Sequence, residues 1–278
     1  MTRGRRQSGM SLIEMMIAMV LGLILIGGIG QIFLSSRQSF ATQSGLGAIQ
    51  ENGRFALQFL QRDVRQSGYP KNAVATIPAV VTATPASDSA GFTNFAVTSE
   101  GGAGASDVLT LAFDGELDPT TRTAQAVADC LGNNVTNKDK VNTDADATKT
   151  PFRVYVSYYV ATVNNVRSLM CRGNGDSANP AVIATGVDAF EVLYGEDTDG
   201  DLFSNVYRKA DQVANWNNVV SVRVGLLLSS RDQADSSQTA QVKDTRTYAV
   251  LDETFGPYND NFLRRVFSST IEIRNRTL

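Results

Sequence analysis

The sequence predicts an α+β protein in which one long N-terminal helix, half transmembrane and half amphipathic, packs on an antiparallel β-sheet. Three observations carry this reading. Met10 to Leu34 is apolar with a single charge, Glu14; an apolar stripe then continues at helical spacing up to Gly68 and Pro70; and six later runs have strand composition.

The apolar run justifies the first half of the helix. Its 25 residues would span ~37 Å as a helix, enough for a bilayer core. Arg3, Arg5 and Arg6 precede it with no acid among the first nine residues, which orients the N-terminus to the cytoplasm and exports the remainder. A cleaved secretory signal also begins basic and then apolar, but its apolar region is shorter, ~7–15 residues. Arg5-Arg6 hints at a twin-arginine signal, yet "QSGM" follows in place of an apolar stretch. A plain single-pass anchor explains the length and the arginines. It gives no reason for Glu14, because an unpaired acid in a membrane helix costs ~3 kcal/mol.

The second half rests on periodicity. Leu46, Ile49, Ala56, Phe59 or Leu60, and Val64 recur at three- to four-residue steps, with Gln50, Arg54, Gln61 and Arg65 on the polar side. Gly68 and Pro70 close the element. From Ser11 to Gln66 this gives 56 residues and ~84 Å, so much of the helix projects beyond the membrane. Gly45, Gly47 and Gly53 each weaken it by ~1 kcal/mol relative to alanine, and a local break there is expected. The outer stripe needs a partner surface, and a following sheet supplies it.

Strand composition marks residues 107–113, 152–162, 166–171, 190–195, 219–229 and 267–274. Val220, Val222, Val224, Leu226 and Leu228 form one inward face. Asn164-Asn165 reads as a hairpin turn. Residues 71–106 and 132–150, rich in Ala, Thr, Ser, Gly, Asn and Asp, read as surface loops. "GGAGA" at 101–105 lacks the lysine and spacing of a phosphate loop.

Charge and composition limit the chemistry. The chain of 278 residues has 25 basic and 28 acidic residues, and 22 against 28 once the three leading arginines are set aside. A nucleic-acid binder would show a basic face, so no direct nucleic-acid contact is expected. The absence of histidine rules out Ser-His-Asp and Cys-His catalysis and histidine metal sites. No nucleophile and base can be paired, and an enzyme is not expected.

"G-MSLIE" (9–14) resembles the class III leader of type IV prepilins, where a short basic leader ends in glycine and the mature chain carries glutamate at its fifth position. The resemblance implies cleavage by a prepilin peptidase between Gly9 and Met10, methylation of the new Met10 amine, and pairing of Glu14 with a neighbouring subunit's N-terminus. Pairing is physically sensible, since an ammonium and a carboxylate in one apolar layer lower each other's desolvation cost. The implied organisation is a leader (1–9), a membrane and filament-core helix (10–34), its amphipathic continuation (35–68) and a β-rich periplasmic head (69–278). Residues 51–69, 190–201, 216–230 and 264–276 are similar to the PilW family of minor type IV pilins. That family implies a type IV pilin-like fold and a low-abundance subunit that primes pilus assembly near the tip, in motility, adhesion or DNA uptake. Its implied partners are other minor pilins, the major pilin, the inner-membrane assembly platform and a tip adhesin. The J-type minor pseudopilin of type II secretion shares the leader and the plan. An anchored periplasmic calcium-binding module is the alternative of another class.

Cys130 and Cys171 both fall in the exported part, where an oxidising compartment favours a disulfide over two buried thiols. It would close a loop of about 42 residues and contribute ~4 kcal/mol in the chain-entropy model. In "EDTDGD" (196–201), Asp197, Asp199 and Asp201 alternate as oxygen ligands can in a calcium loop. The EF-hand pattern is not met, and an ordinary acidic turn is the favoured reading.

Overall fold

The computed structural model describes residues 10–69, 78–82, 95–115, 127–135, 153–232 and 243–276. Gly9 and the leading arginines therefore lie outside the described residues, as do Phe152 and much of 71–106 and 132–150.

Helix α1 spans Leu12–Gln66. Ser11 caps it: its hydroxyl accepts the Ile13 N–H at 3.3 Å, and Glu14 Oε2 accepts the Ser11 N–H at 3.1 Å, a reciprocal capping box. At the far end, the Asn275 side-chain amide donates to the carbonyls of Arg65, Gln66 and Ser67, satisfying oxygens that the helix leaves open. The helix runs unbroken through Gly45, Gly47 and Gly53, contrary to the expected weak point. Packing explains the difference at Gly53, where a Cβ would stand 2.8 Å from the Phe267 ring. Gly53 is a contact residue, and the intimacy it permits offsets its low helix propensity.

The strands are β1 (Leu109–Asp114), β2 (Val127–Ala128), β3 (Asn134–Val135), β4 (Arg153–Val163), β5 (Val166–Gly173), β6 (Ala181–Thr185), β7 (Val187–Glu196), β8 (Val206–Arg208), β9 (Val219–Ser229), β10 (Tyr248–Val250), β11 (Glu253–Phe255) and β12 (Arg264–Glu272). They form two four-stranded antiparallel sheets, ordered β1-β4-β5-β6 and β12-β9-β7-β8, and two small hairpins, β2-β3 and β10-β11. Val163 pairs with Val166 across the Asn164-Asn165 turn, and both asparagines take positive φ, +49° and +64°. That is the left-handed pair a two-residue hairpin requires.

The buried face of α1 is Ile49, Gly53, Ala56, Leu60, Asp63 and Val64. Leu60 takes the inward place and Phe59 is only half-buried, while Leu46 points outward. Ile49, Ala56, Leu60 and Val64 share one core with Leu111, Val156 and Leu169 from the first sheet and Val222, Val224, Leu226 and Ile271 from the second. Strand β9 is buried on both faces, so the single inward face expected from alternation is half of the picture. Leu227, with Ala189, packs against Val250 and Phe255 of the β10-β11 hairpin. Gly225 lets that hairpin descend, because a Cβ there would lie 2.8 Å from Val250 and Leu251 side-chain atoms.

Two polar anchors tie distant segments together. Tyr158 Oη donates to Asp63 Oδ2 at 2.7 Å and Arg62 Nε to Asp63 Oδ1 at 2.7 Å, so a buried helix carboxylate holds α1 to β4. Burial, the Asp63 charge and this bond push the Tyr158 hydroxyl well above its ordinary pKa. The second anchor is Arg264, fully buried and bonded to Asp188 at 2.8 Å and Asp260 at 2.6 and 2.7 Å, with the Tyr258 ring 3.7 Å from its Cζ.

Candidate assembly site

No residue from Met10 to Ser44 is buried. An 18-residue window within α1 reaches a mean hydropathy of 2.5, so by length and composition this part of the helix can cross a membrane. Met10 and Glu14 stand at its exposed start. Glu14 spends Oε2 on its own helix cap, and Oε1 has no partner among the described residues. The cap is a role that the membrane-charge argument missed. Its signal, S-x-x-E in "SLIE", was present in the sequence.

In the head, a disulfide joins Cys130 to Cys171, with Cα atoms 6.6 Å apart. It fastens the turn between β2 and β3 to the middle of the first sheet. Asp129 reinforces it: Oδ1 accepts the N–H groups of Leu131 (2.9 Å) and Asn133 (3.0 Å), and Oδ2 that of Gly175 (3.0 Å).

Asp197, Asp199 and Asp201 do come together, with one oxygen of each within 4.8 Å of the others. Asp197 is engaged by the chain itself. Its Oδ1 accepts N–H bonds from Asp199 (3.2 Å) and Gly200 (2.7 Å), and its Oδ2 one from Leu202 (2.9 Å). Desolvation works against ionisation of Asp197, yet those three donors outweigh it and hold the carboxyl below its usual range. Asp201 accepts the Phe203 N–H and Asp199 the Asn205 side-chain amide. The stretch has the bonding of an acidic turn.

A second acidic cluster has no local signature in the sequence, because its members come from distant segments. Asp107 closes the edge of β7 beyond β8: its N–H donates to the Phe190 carbonyl and its Oδ2 accepts the Val192 N–H, both at 2.8 Å. Glu191, between them on β7, is 1% exposed. One carboxylate oxygen each from Glu100, Asp107 and Glu191 lie within 4.8 Å of one another, and so do those of Glu100, Asp252 and Glu253. Lys209 Nζ bonds Glu100 (3.1 Å), Asp252 (2.8 Å) and Glu253 (2.5 Å). Desolvation and the neighbouring acids push Glu191 up to about 9; desolvation raises Asp107 to about 7 against its two backbone donors.

Residues 157–275 match the family model of type IV pilus-assembly protein W, and residues 4–30 match the prokaryotic N-terminal methylation motif. No curated protein matches the chain. Among solved structures, a type IV-like pilin from Thermus thermophilus aligns at 15% identity over 82% of this chain and 96% of its own, with a TM-score of 0.43. A chain of the GspK-GspI-GspJ complex from the type 2 secretion system of enterotoxigenic Escherichia coli aligns at 11% identity over 80% of this chain and 96% of its own, with a TM-score of 0.30. The chain thus carries a match to an N-terminal methylation motif and, over 157–275, a match to the type IV pilus-assembly protein W model, on a fold of one long helix and antiparallel sheets.

Proposed function

We propose that this chain is a minor type IV pilin, a non-catalytic subunit that is cut after Gly9, methylated at Met10 and inserted beside other minor pilins to prime a filament, with its head near the tip. The supporting observation is the pairing of a methylation motif over 4–30 with a helix whose first 33 or so residues are nowhere buried among the described residues. Such a surface needs lipid first and other subunits later. Glu14 is the residue that directs the exchange. One oxygen stays on the Ser11 cap, and the other is free for the ammonium of a neighbouring subunit. The head is periplasmic before assembly and the disulfide suits that compartment. The W-type match favours a pilus over a secretion pseudopilus.

Glu14→Gln tests the role of charge without confounding it with helix capping, because glutamine can complete the same box. The variant is expected to insert in the membrane and to fail in pilus assembly, read as surface piliation beside immunoblots of membrane fractions. Normal piliation by Glu14→Gln would remove the charge-pairing role and leave only the cap.

A further inference from the structure

We propose that Glu100, Asp107 and Glu191 form a calcium-binding site in the head, separate from the 197–201 turn. The cluster alone would not support this, since exposed acids often gather without an ion. What distinguishes it is burial without satisfaction. Glu191 is 1% exposed, and its Oε1 has no hydrogen-bond partner among the described residues; Glu100 Oε2 is likewise buried and unpartnered. Natural proteins rarely leave such atoms unbonded, and a bound ion is one of the few things that completes them.

Charge points the same way. Five carboxylates, those of Glu100, Asp107, Glu191, Asp252 and Glu253, face one ammonium, Lys209. Lys209 takes the other oxygen of Glu100, Oε1, and leaves Oε2 to the inner group. Neither Asp107 nor Glu191 forms an ion pair with a described residue, so a bound cation would supply the positive charge that lets both carboxyls ionise. Geometry permits a shared ion. Ligand oxygens at ~2.4 Å on opposite sides of Ca²⁺ stand ~4.8 Å apart, and the three carboxylates reach within 4.8 Å of one another. Carboxylate oxygens are hard ligands and select calcium or magnesium over softer metals. Three side chains, one from the middle of β7 and two from the chain ahead of β1, suit the irregular, water-completed shell of calcium better than a strict octahedron. A surface cleft of ≈ 700 Å³, walled in part by Thr98, Glu100 and Trp216, gives an approach.

The contrast with Asp197 is instructive. Asp197 and Asp107 each spend both oxygens on backbone N–H groups, Asp107 on Gly101 (2.7 Å) and Val192 (2.8 Å), whereas Glu191 Oε1 and Glu100 Oε2 accept no bond among the described residues.

The test uses the full chain in detergent, stripped with a chelator and titrated with Ca²⁺ alone by calorimetry and by thermal melting, with fluorescence of the single Trp216 as a third readout. Saturable binding in the ~0.1–1 mM range of extracellular modules is expected, with a rise in Tm. Glu191→Gln, and independently Glu100→Gln, should weaken binding by ~10-fold or more, while Asp199→Asn leaves it unchanged. Glu191→Gln should melt no lower than the parent in chelator, since the amide keeps the size of the side chain and leaves no charge buried. The proposal is overturned by absence of heat and Tm change at millimolar Ca²⁺. It is equally overturned if both Gln variants bind as the parent does, or if Asp199→Asn is the change that abolishes binding.

Discussion

The two halves of α1 are one continuous helix in two different physical situations. From Met10 to Ser44 nothing is buried; from Gly45 to Val64 every third or fourth residue is. The outer half has an apolar stripe and a polar back, and its partner is the pair of sheets in its own chain. From Met10 to Leu34 the inner half is apolar on nearly all sides, the pattern of a helix surrounded by apolar neighbours, and none of it is buried against the described residues. Secondary structure is the same in both, so what separates them is where the burial partner comes from. The inner half is left for lipid and other subunits.

That contrast can be broken by substitution. Leu60, fully buried between the sheets, should cost the head ~2–5 kcal/mol when cut to alanine, by lost burial and the cavity left behind. Ile24→Ala, on the exposed inner half, should leave the melting of the head unchanged. Equal destabilisation by both, in urea or thermal melts of the detergent-held chain, would mean that the two halves are not energetically distinct. A smaller effect sharpens the boundary. Tyr158→Phe removes a donor from the buried Asp63 carboxylate and should cost ~1.5–3 kcal/mol, the range for a bond to a charged group. A loss near zero in the same melts would show that Arg62 alone satisfies Asp63 and that the helix is held by apolar contact.

Much of this plan was legible because local rules set it. The helix ends where Ser11 and Gly68 place them, the edges of β9 fall at 219 and 229 as read, and Asn164-Asn165 turns as asparagine pairs do. Legibility failed where a residue answers to something far away in sequence. Gly53 looks like a weak point until Phe267, over two hundred residues later, is laid against it. Strands β8, β10 and β11 are three residues each, too short to alternate visibly. The site differs in the same way. Gly9, Met10 and Glu14 stand within six residues and resemble a known signal, whereas Glu100, Asp107 and Glu191 have no common pattern until the fold assembles them.

The central claim is that the unburied inner half exchanges lipid for other subunits under the direction of Glu14. Its most direct test is photocross-linking from position 24, on the exposed inner half, in cells assembling pili. The account predicts lipid adducts together with cross-links to other pilins in the parent, and lipid adducts alone in Glu14→Gln. Pilin cross-links that persist undiminished in Glu14→Gln, or their absence from the parent, would contradict it.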